Sequence, residues 1–170
     1  MARIPYCNFK DLDQKERDFF ERLPGGLNIF KMLAHAGQVG RDCVRLGASI
    51  LYAGKVQPDL RELAIIRTGI VCGSGYEVHQ HIKVARQIGI SDEKIEALYK
   101  GSSAPAFSQL ESLVIRFAEE FVQNNRVTPE TFSGLLGHFS HQQITELSIA
   151  IGYYRLISSF LETFEVDIEK

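Results

Sequence analysis

Ten consecutive residues, Cys72-Gly-Ser-Gly-Tyr-Glu-Val-His-Gln-His81, hold a thiol, hydroxyls, a carboxylate and two imidazoles between apolar runs. Such a set suits thiol redox chemistry or proton transfer, and it equally suits a turn that opens a helix. Helical spacing sorts the members. Glu77 and His81 are four apart and share a face, whereas His79 points almost the opposite way. The His81 face continues through Val78, Val84, Ala85 and Ile88, so His81 is expected to face inward beside a carboxylate that orients its ring and holds a proton. An inward histidine is also an ordinary core residue, and both readings stand.

One helix earlier, Glu62 has Ile65, Ile66 and Gly69 at three, four and seven residues on, with no Lys or Arg at i+4. A carboxylate leaving an apolar face is unusual, although a first-turn residue complementing the helix dipole is the plain alternative. Across the Gly73–Gly75 turn, antiparallel helices put Glu62 and His81 about 7 Å apart along the axis, a gap that long side chains or one water bridge. Two carboxylates around one imidazole in an apolar cleft push their proton affinities apart, as acid–base work at neutral pH requires.

Cys72 is the redox candidate, but it stands at the C-terminal end of a helix, where the dipole disfavours thiolate, and no second Cys lies within a turn. By default it is a small buried hydrophobe. Gly73-Ser-Gly75 follows a helix and lacks the strand and third glycine of a phosphate loop. His79 and His81 diverge, and His138 and His141 flank a helix break, so no metal site is assigned.

These residues need helices to position them, and helical punctuation recurs along the chain without period-two alternation or hairpin turns. The expectation is all-α, with about eight helices. The first runs over about 12–23 and ends at Pro24-Gly25-Gly26; a long one follows over about 28–53, bent near Gly37 or Gly40. Pro58 opens a third helix that stops at Gly73. Ser74-x-x-Glu77 fits a capping box that starts the next helix, which runs to Gly89. A short helix spans about 92–99; Ser108-x-x-Glu111 and Ser140-x-x-Gln143 are further boxes, and Thr128-Pro129 an N-cap with Pro at N1. Asn124-Asn-Arg126 reads as a helix end. The last helix, "ITELSIAIGYYRLISSFLETF", is apolar around most of its circumference, so a subunit interface and hence a homo-oligomer are expected, a central core helix of a monomer being the plain alternative.

The chain is 170 residues long, enough for one domain over 1–170, with 19 Lys and Arg against 21 Asp and Glu interspersed along it. That balance indicates neither nucleic acid nor membrane as a partner. Its start, "MARIPYCNFK", has no apolar leader segment, and no apolar run reaches membrane-spanning length, so a cytoplasmic location is expected. Three cysteines without a Cys-x-x-Cys suggest free thiols.

The stretch "LRELAIIRTGIVCGSGYEVHQHIKVARQIGISDEKIEAL" resembles the core of the carboxymuconolactone decarboxylase family, within the alkylhydroperoxidase D-like superfamily, and "FSHQQITELSIAIGYYRLISSFLETFEVDIE" resembles the C-terminal helix of its longer members. The resemblance implies an all-α bundle, no cofactor, and a homo-oligomer, often a trimer or hexamer. The peroxidase branch carries a Glu, a Cys-x-x-Cys and a His four residues after the second Cys. Registered on Glu62 and His81, those cysteine positions fall on Ser74 and Glu77, so the chain resembles the Tyr-Glu-x-x-x-His branch, with Val78 where a Trp is common.

The activity expected from this resemblance is a lyase-type decarboxylation, or related proton transfer, on a small carboxylated or lactone metabolite. His81 is the expected acid or base, Glu77 its orienting partner, Glu62 a relay carboxylate and Tyr76 a hydroxyl donor. Arg67 is a candidate for holding a substrate carboxylate. The alternatives are a peroxiredoxin-type activity through Cys72 and a non-catalytic oligomeric binding protein.

Overall fold

The protein is described by a computed structural model, which covers residues 1–23 and 26–169. Among these residues there are nine α-helices and no strand. In order they are α1 (Gln14–Phe20), α2 (Asn28–Leu33), α3 (Gln38–Tyr52), α4 (Pro58–Val71), α5 (Gly75–Gln87), α6 (Asp92–Ala97), α7 (Gln109–Asn124), α8 (Pro129–Leu136) and α9 (His141–Phe164).

α4 is the hub. Nine of its 14 residues are buried, because α5, α7 and α9 pack around it on different sides. Leu60 and Ala64 meet Val114, Phe117 and Ala118 of α7 and Leu147 and Ile151 of α9. Leu63 and Ile66 meet Val78 and Ala85 of α5, Ile95 of α6 and Ile115 of α7. Each fully buried aliphatic side chain contributes about 1.5–3 kcal/mol relative to exposure. A third cluster, with Phe20, Met32, Leu33 and Val44, holds the N-terminal helices against Ile157 and Leu161 of α9.

Several sequence expectations change in detail. The first helix is short: α1 begins after Asp13, whose side chain accepts from the Glu16 amide, and ends at Phe20; Pro24 and Gly25 of the expected stop lie outside the described residues. The long helix over 28–53 is two helices. A 3-10 turn over Ala34–Ala36 separates them, and Gly37 restarts the chain at φ +54°, a conformation that disfavours any side chain. Gly40 packs so close that a Cβ there would come within 2.0 Å of the Leu33 carbonyl oxygen. Helix α6 stops at Ala97, two residues early, and Ile88, assigned to the inward stripe of α5, is 42% exposed at the C-cap.

The boxes at Ser108–Glu111 and Ser140–Gln143 form, Thr128 caps α8 with Pro129 in its first turn, and α7 ends at Asn124. Helix α9 is buried against α3, α4, α5, α7 and α8, yet leaves Ile149 and Leu156 exposed. Among the described residues no helix is long and apolar enough to cross a membrane.

Candidate acid–base site

The α4–α5 connection decides how the opening motif is used. Helix α4 ends in a Schellman turn: Gly73 takes φ +70°, its amide donates to the Ile70 carbonyl at 3.1 Å, and the Ser74 amide donates to the Gly69 carbonyl at 2.9 Å. The Ser74 N–H is therefore already committed. Glu77 has no free N-cap amide to reach back to, and the expected capping box does not form; Ser74 marks the start of α5 by position alone, and its buried hydroxyl has no partner among the described residues. Glu77 is released to point into the protein.

There it meets His81 and Glu62. The His81 Nδ1 lies 2.7 Å from Glu62 Oε2. Its Nε2 lies 3.4 Å from Glu77 Oε2, within ion-pair distance but outside hydrogen-bond geometry. Glu62 is fully buried, Glu77 is 4% exposed and His81 8%. The long side chains bridge the axial gap directly, and Gly69 lets the helices approach: a Cβ there would lie 3.1 Å from Val78 Cγ2 and 3.4 Å from Glu77 Cβ. Tyr154 of α9 closes the site, its ring edge-on to the imidazole with centroids 4.7 Å apart.

Burial pulls the imidazole toward its neutral form, but the hydrogen bond and charge of Glu62, with the charge of Glu77, outweigh it, so the His81 pKa stands above its ordinary value despite Arg61 nearby. Burial likewise raises the Glu77 pKa, with His81 opposing and Glu62 adding to the rise. Burial, then the two carboxylates, push the Tyr154 phenol well up, so it stays a neutral donor. The arrangement is an imidazole between two buried carboxylates, suited to carrying a proton near neutral pH.

The structure thus brings together Glu62, Glu77 and His81. It does not bring Tyr76, Arg67 or Cys72 to them. Tyr76 and Arg67 each stand five residues from a site residue on their own helix, His81 and Glu62 respectively, which turns them roughly 140° away. The Tyr76 hydroxyl donates to Glu169 Oε1 at 2.6 Å and accepts from the Ile29 amide at 3.3 Å. Arg67 donates through Nε to Glu119 Oε1 and through Nη1 to the Leu98 carbonyl, both at 2.8 Å. Cys72 is the C-cap of α4, half-buried; burial raises its thiol pKa, with Arg155 and Ser158 pulling the other way. All three cysteines are free. His79, His138 and His141 are exposed, and among the described residues no group of three or more His, Cys, Asp or Glu side chains is placed to hold a metal.

Two residues at the site were not singled out from sequence. Tyr154 sits in an apolar helix where nothing distinguishes it from Tyr153. Arg61 is 8% exposed, its Nε 3.9 Å from Glu62 Oε1, and it makes no hydrogen bond through its guanidinium to any described residue. Its signal was an arginine directly beside a buried glutamate, on a helix buried nearly all round.

Comparison with known proteins bears on the fold and on part of the sequence. Residues 37–120 match the model of the carboxymuconolactone decarboxylase family. Over that span, just under half of its length, the chain is similar to that family. The matched span of the carboxymuconolactone decarboxylase family includes Arg61, Glu62, Glu77 and His81, while Tyr154 lies beyond it. Among solved structures, the chain resembles an uncharacterized peroxidase-related protein from Ralstonia eutropha JMP134, described as an alkylhydroperoxidase AhpD core. That match has a TM-score of 0.86 at 16% identity, covering 99% of this chain and 93% of the other. A peroxidase-related protein from Silicibacter sp. TM1040 matches with a TM-score of 0.84 at 12% identity, covering 99% and 92%. A protein of unknown function from Agrobacterium tumefaciens, described as a candidate antioxidant defence protein of the AhpD type, matches with a TM-score of 0.75 at 18% identity, covering 81% and 95%. No curated protein matches the sequence. The fold is therefore that of the AhpD-like helical proteins.

Proposed function

We propose that the protein is a cofactor-free acid–base enzyme that decarboxylates, or otherwise transfers a proton to, a small carboxylated or lactone-like metabolite, working as a cytoplasmic homo-oligomer. One observation carries this reading: His81 lies between Glu62 and Glu77 in a nearly dry interior, with its pKa and that of Glu77 both raised.

In the decarboxylation, the bond between carbon and the carboxylate breaks, carbon dioxide leaves, and the electron pair stays on the substrate as an enolate-like carbanion. The imidazolium of His81 protonates that carbon, while Glu62 holds the Nδ1–H and fixes the ring. Glu77, whose pKa burial raises, stands 3.4 Å from the imidazole Nε2 and passes it a replacement proton drawn from solvent. The neutral Tyr154 hydroxyl and the Arg61 guanidinium are the nearby groups that stabilise developing negative charge. Carbon dioxide release from carboxylated lactones by purified protein is the test. Turnover is expected to fall about 10²–10⁴-fold in His81→Ala, and a His81→Ala protein as fast as the unaltered one overturns the assignment.

Peroxidase chemistry through Cys72 has the descriptions of the structural neighbours behind it and the thiol's own position against it. A helix C-terminus and a half-buried site both disfavour thiolate. Thiol titration before and after one equivalent of hydroperoxide separates the two chemistries: the acid–base reading expects Cys72 to remain reduced, and rapid stoichiometric loss of that thiol refutes it.

A further inference from the structure

Arg61, next to the acid–base cluster, also lines a cavity that the cluster alone does not explain. A cavity of about 250 Å³ lies where α3, the start of α4 and α9 meet, walled by Leu46, Ile50, Val56, Leu147 and Ala150. Two charged side chains reach it, Arg61 and Glu146. They are in opposite situations.

Glu146 is spoken for. Its Oε2 accepts from the Lys55 amide at 2.6 Å and its Oε1 from the Gln142 side chain at 2.8 Å, and these donors hold its carboxyl below the usual range against a burial effect that opposes them. Arg61 is open. Its side chain is nine-tenths buried, and no described residue accepts a hydrogen bond from any of its five N–H groups. Its nearest anion, Glu62 Oε1, stands 3.9 Å from Nε, beyond hydrogen-bond range, and is itself without a partner among the described residues. Buried guanidinium groups are normally paired, and a bidentate carboxylate is the partner whose geometry fits the fork.

We propose that Arg61 and this cavity form the subsite for the carboxylate of a small, largely apolar monocarboxylic acid. The acid group seats on the guanidinium, and the hydrocarbon body lies along Leu46, Ile50, Leu147 and Ala150. The volume is slightly below the range of drug-sized pockets, which sets the ligand at a few carbons. Glu146, a negative charge within the same small cavity, selects against a second carboxylate at the far end. This inference rests on the acid–base reading for what happens to the bound acid, while the subsite itself stands on the Arg61 geometry.

The test is amide chemical-shift titration of the full chain with hexanoate, hexanamide and adipate. Hexanoate is expected to move the amides of Ile50, Ala53 and Ala150, with hexanamide roughly tenfold or more weaker, as loss of charge-assisted hydrogen bonds implies, and adipate weaker than hexanoate. Arg61→Gln should bring hexanoate down to the level of hexanamide. Equal binding of acid and amide, no response at those amides at millimolar ligand, or an Arg61→Gln protein that still prefers the acid overturns the subsite; adipate binding as tightly as hexanoate overturns its monoacid selectivity. If Arg61→Gln does not keep its helical circular dichroism, the acid–amide contrast in the unaltered protein decides. Binding is read without turnover. Acid capture dependent on Arg61 in a protein that turns over no acid would therefore fail the acid–base reading and leave the subsite standing.

Discussion

Helix α4 carries two glutamate-centred polar groups, one on each flank, and they differ in what is left over. On the α7 flank, Arg67 and Glu119 pair at 2.8 Å; Arg67 also holds the Leu98 carbonyl, and Glu119 accepts from the Ser102 amide at 3.1 Å and its hydroxyl at 2.7 Å. On the α5 flank, Glu62 Oε1, Glu77 Oε2 and Arg61 Nε are buried with no hydrogen-bond partner among the described residues. Unmet buried polar atoms each cost about 1–3 kcal/mol. The first group has the form of a structural clamp that ties the 98–102 loop to α7. The second is poorer in partners than folding alone favours, and that deficit is one of the observations on which the proposed site rests.

The strongest way to break the contrast is Glu62→Gln. An amide keeps a hydrogen bond to His81 but removes the charge that holds its proton. Turnover is expected to drop about 10²–10⁴-fold, while stability in urea changes by no more than about 1 kcal/mol or rises. Lost stability with full activity would reverse the roles assigned to the two flanks. On the other flank, Arg67→Ala leaves Glu119 without its cation in a largely buried setting. A loss of about 2–3 kcal/mol is expected, less than for a fully dry pair because both side chains retain some solvent contact, with kcat per folded molecule unchanged.

Gly69→Ala probes the spacing that lets the α5 flank assemble. A methyl group would press on Val78 and Glu77, so a cost of about 1–3 kcal/mol is expected, together with lower turnover as His81 is moved off Glu62. Thermal melts with a parallel activity assay check both halves.

The gentlest probe is pH. His81 and Glu77 both have folded pKa values raised above their ordinary ones, so each favours the fold fully only below its ordinary value, 6.5 and 4.5 respectively, and the benefit is lost as pH rises through the folded value. Glu120 and Glu146, held low by their donors against the opposing effect of burial, act in the reverse sense and lose their contribution on acidification. Glu77→Gln mimics the protonated form, so its stability relative to the unaltered protein should climb as pH rises above 4.5, read by denaturant melts across the range. A difference that stays flat with pH would show that Glu77 is not strained in the way its surroundings indicate.

Much of this was legible in the sequence because local rules governed it. Glu77 and His81 are four apart on one helix, Glu62 has aliphatic neighbours at helical spacing, and the boxes opening α7 and α9 follow from three-residue patterns. What was not legible depended on competition or on distance. The Ser74–Glu77 box fails because a backbone donor is claimed by the preceding helix, a contest that the motif does not display. Tyr76 looked like a site residue through its place in the motif, but one position along a helix is a 100° turn, and its hydroxyl faces Glu169. Tyr154 and the setting of Arg61 arise from long-range packing of α9 on α4 and of α3 on α9, which no window of sequence contains.

The bond between Tyr76 and Glu169 also has a consequence in time. The two residues are 93 apart, and the same closing segment accepts from the side chain of Asn28 and the backbone of Ala2 and Arg3. On a ribosome, the α4–α5 hairpin and its Glu62–His81 contact are available early, from neighbouring residues. The anchors of the N-terminal helices become available only once residues 164–169 have been made. Glu62, Glu77 and His81 are thus joined within a local hairpin, whereas residues 2, 3 and 28 are anchored by partners more than a hundred residues further along the chain.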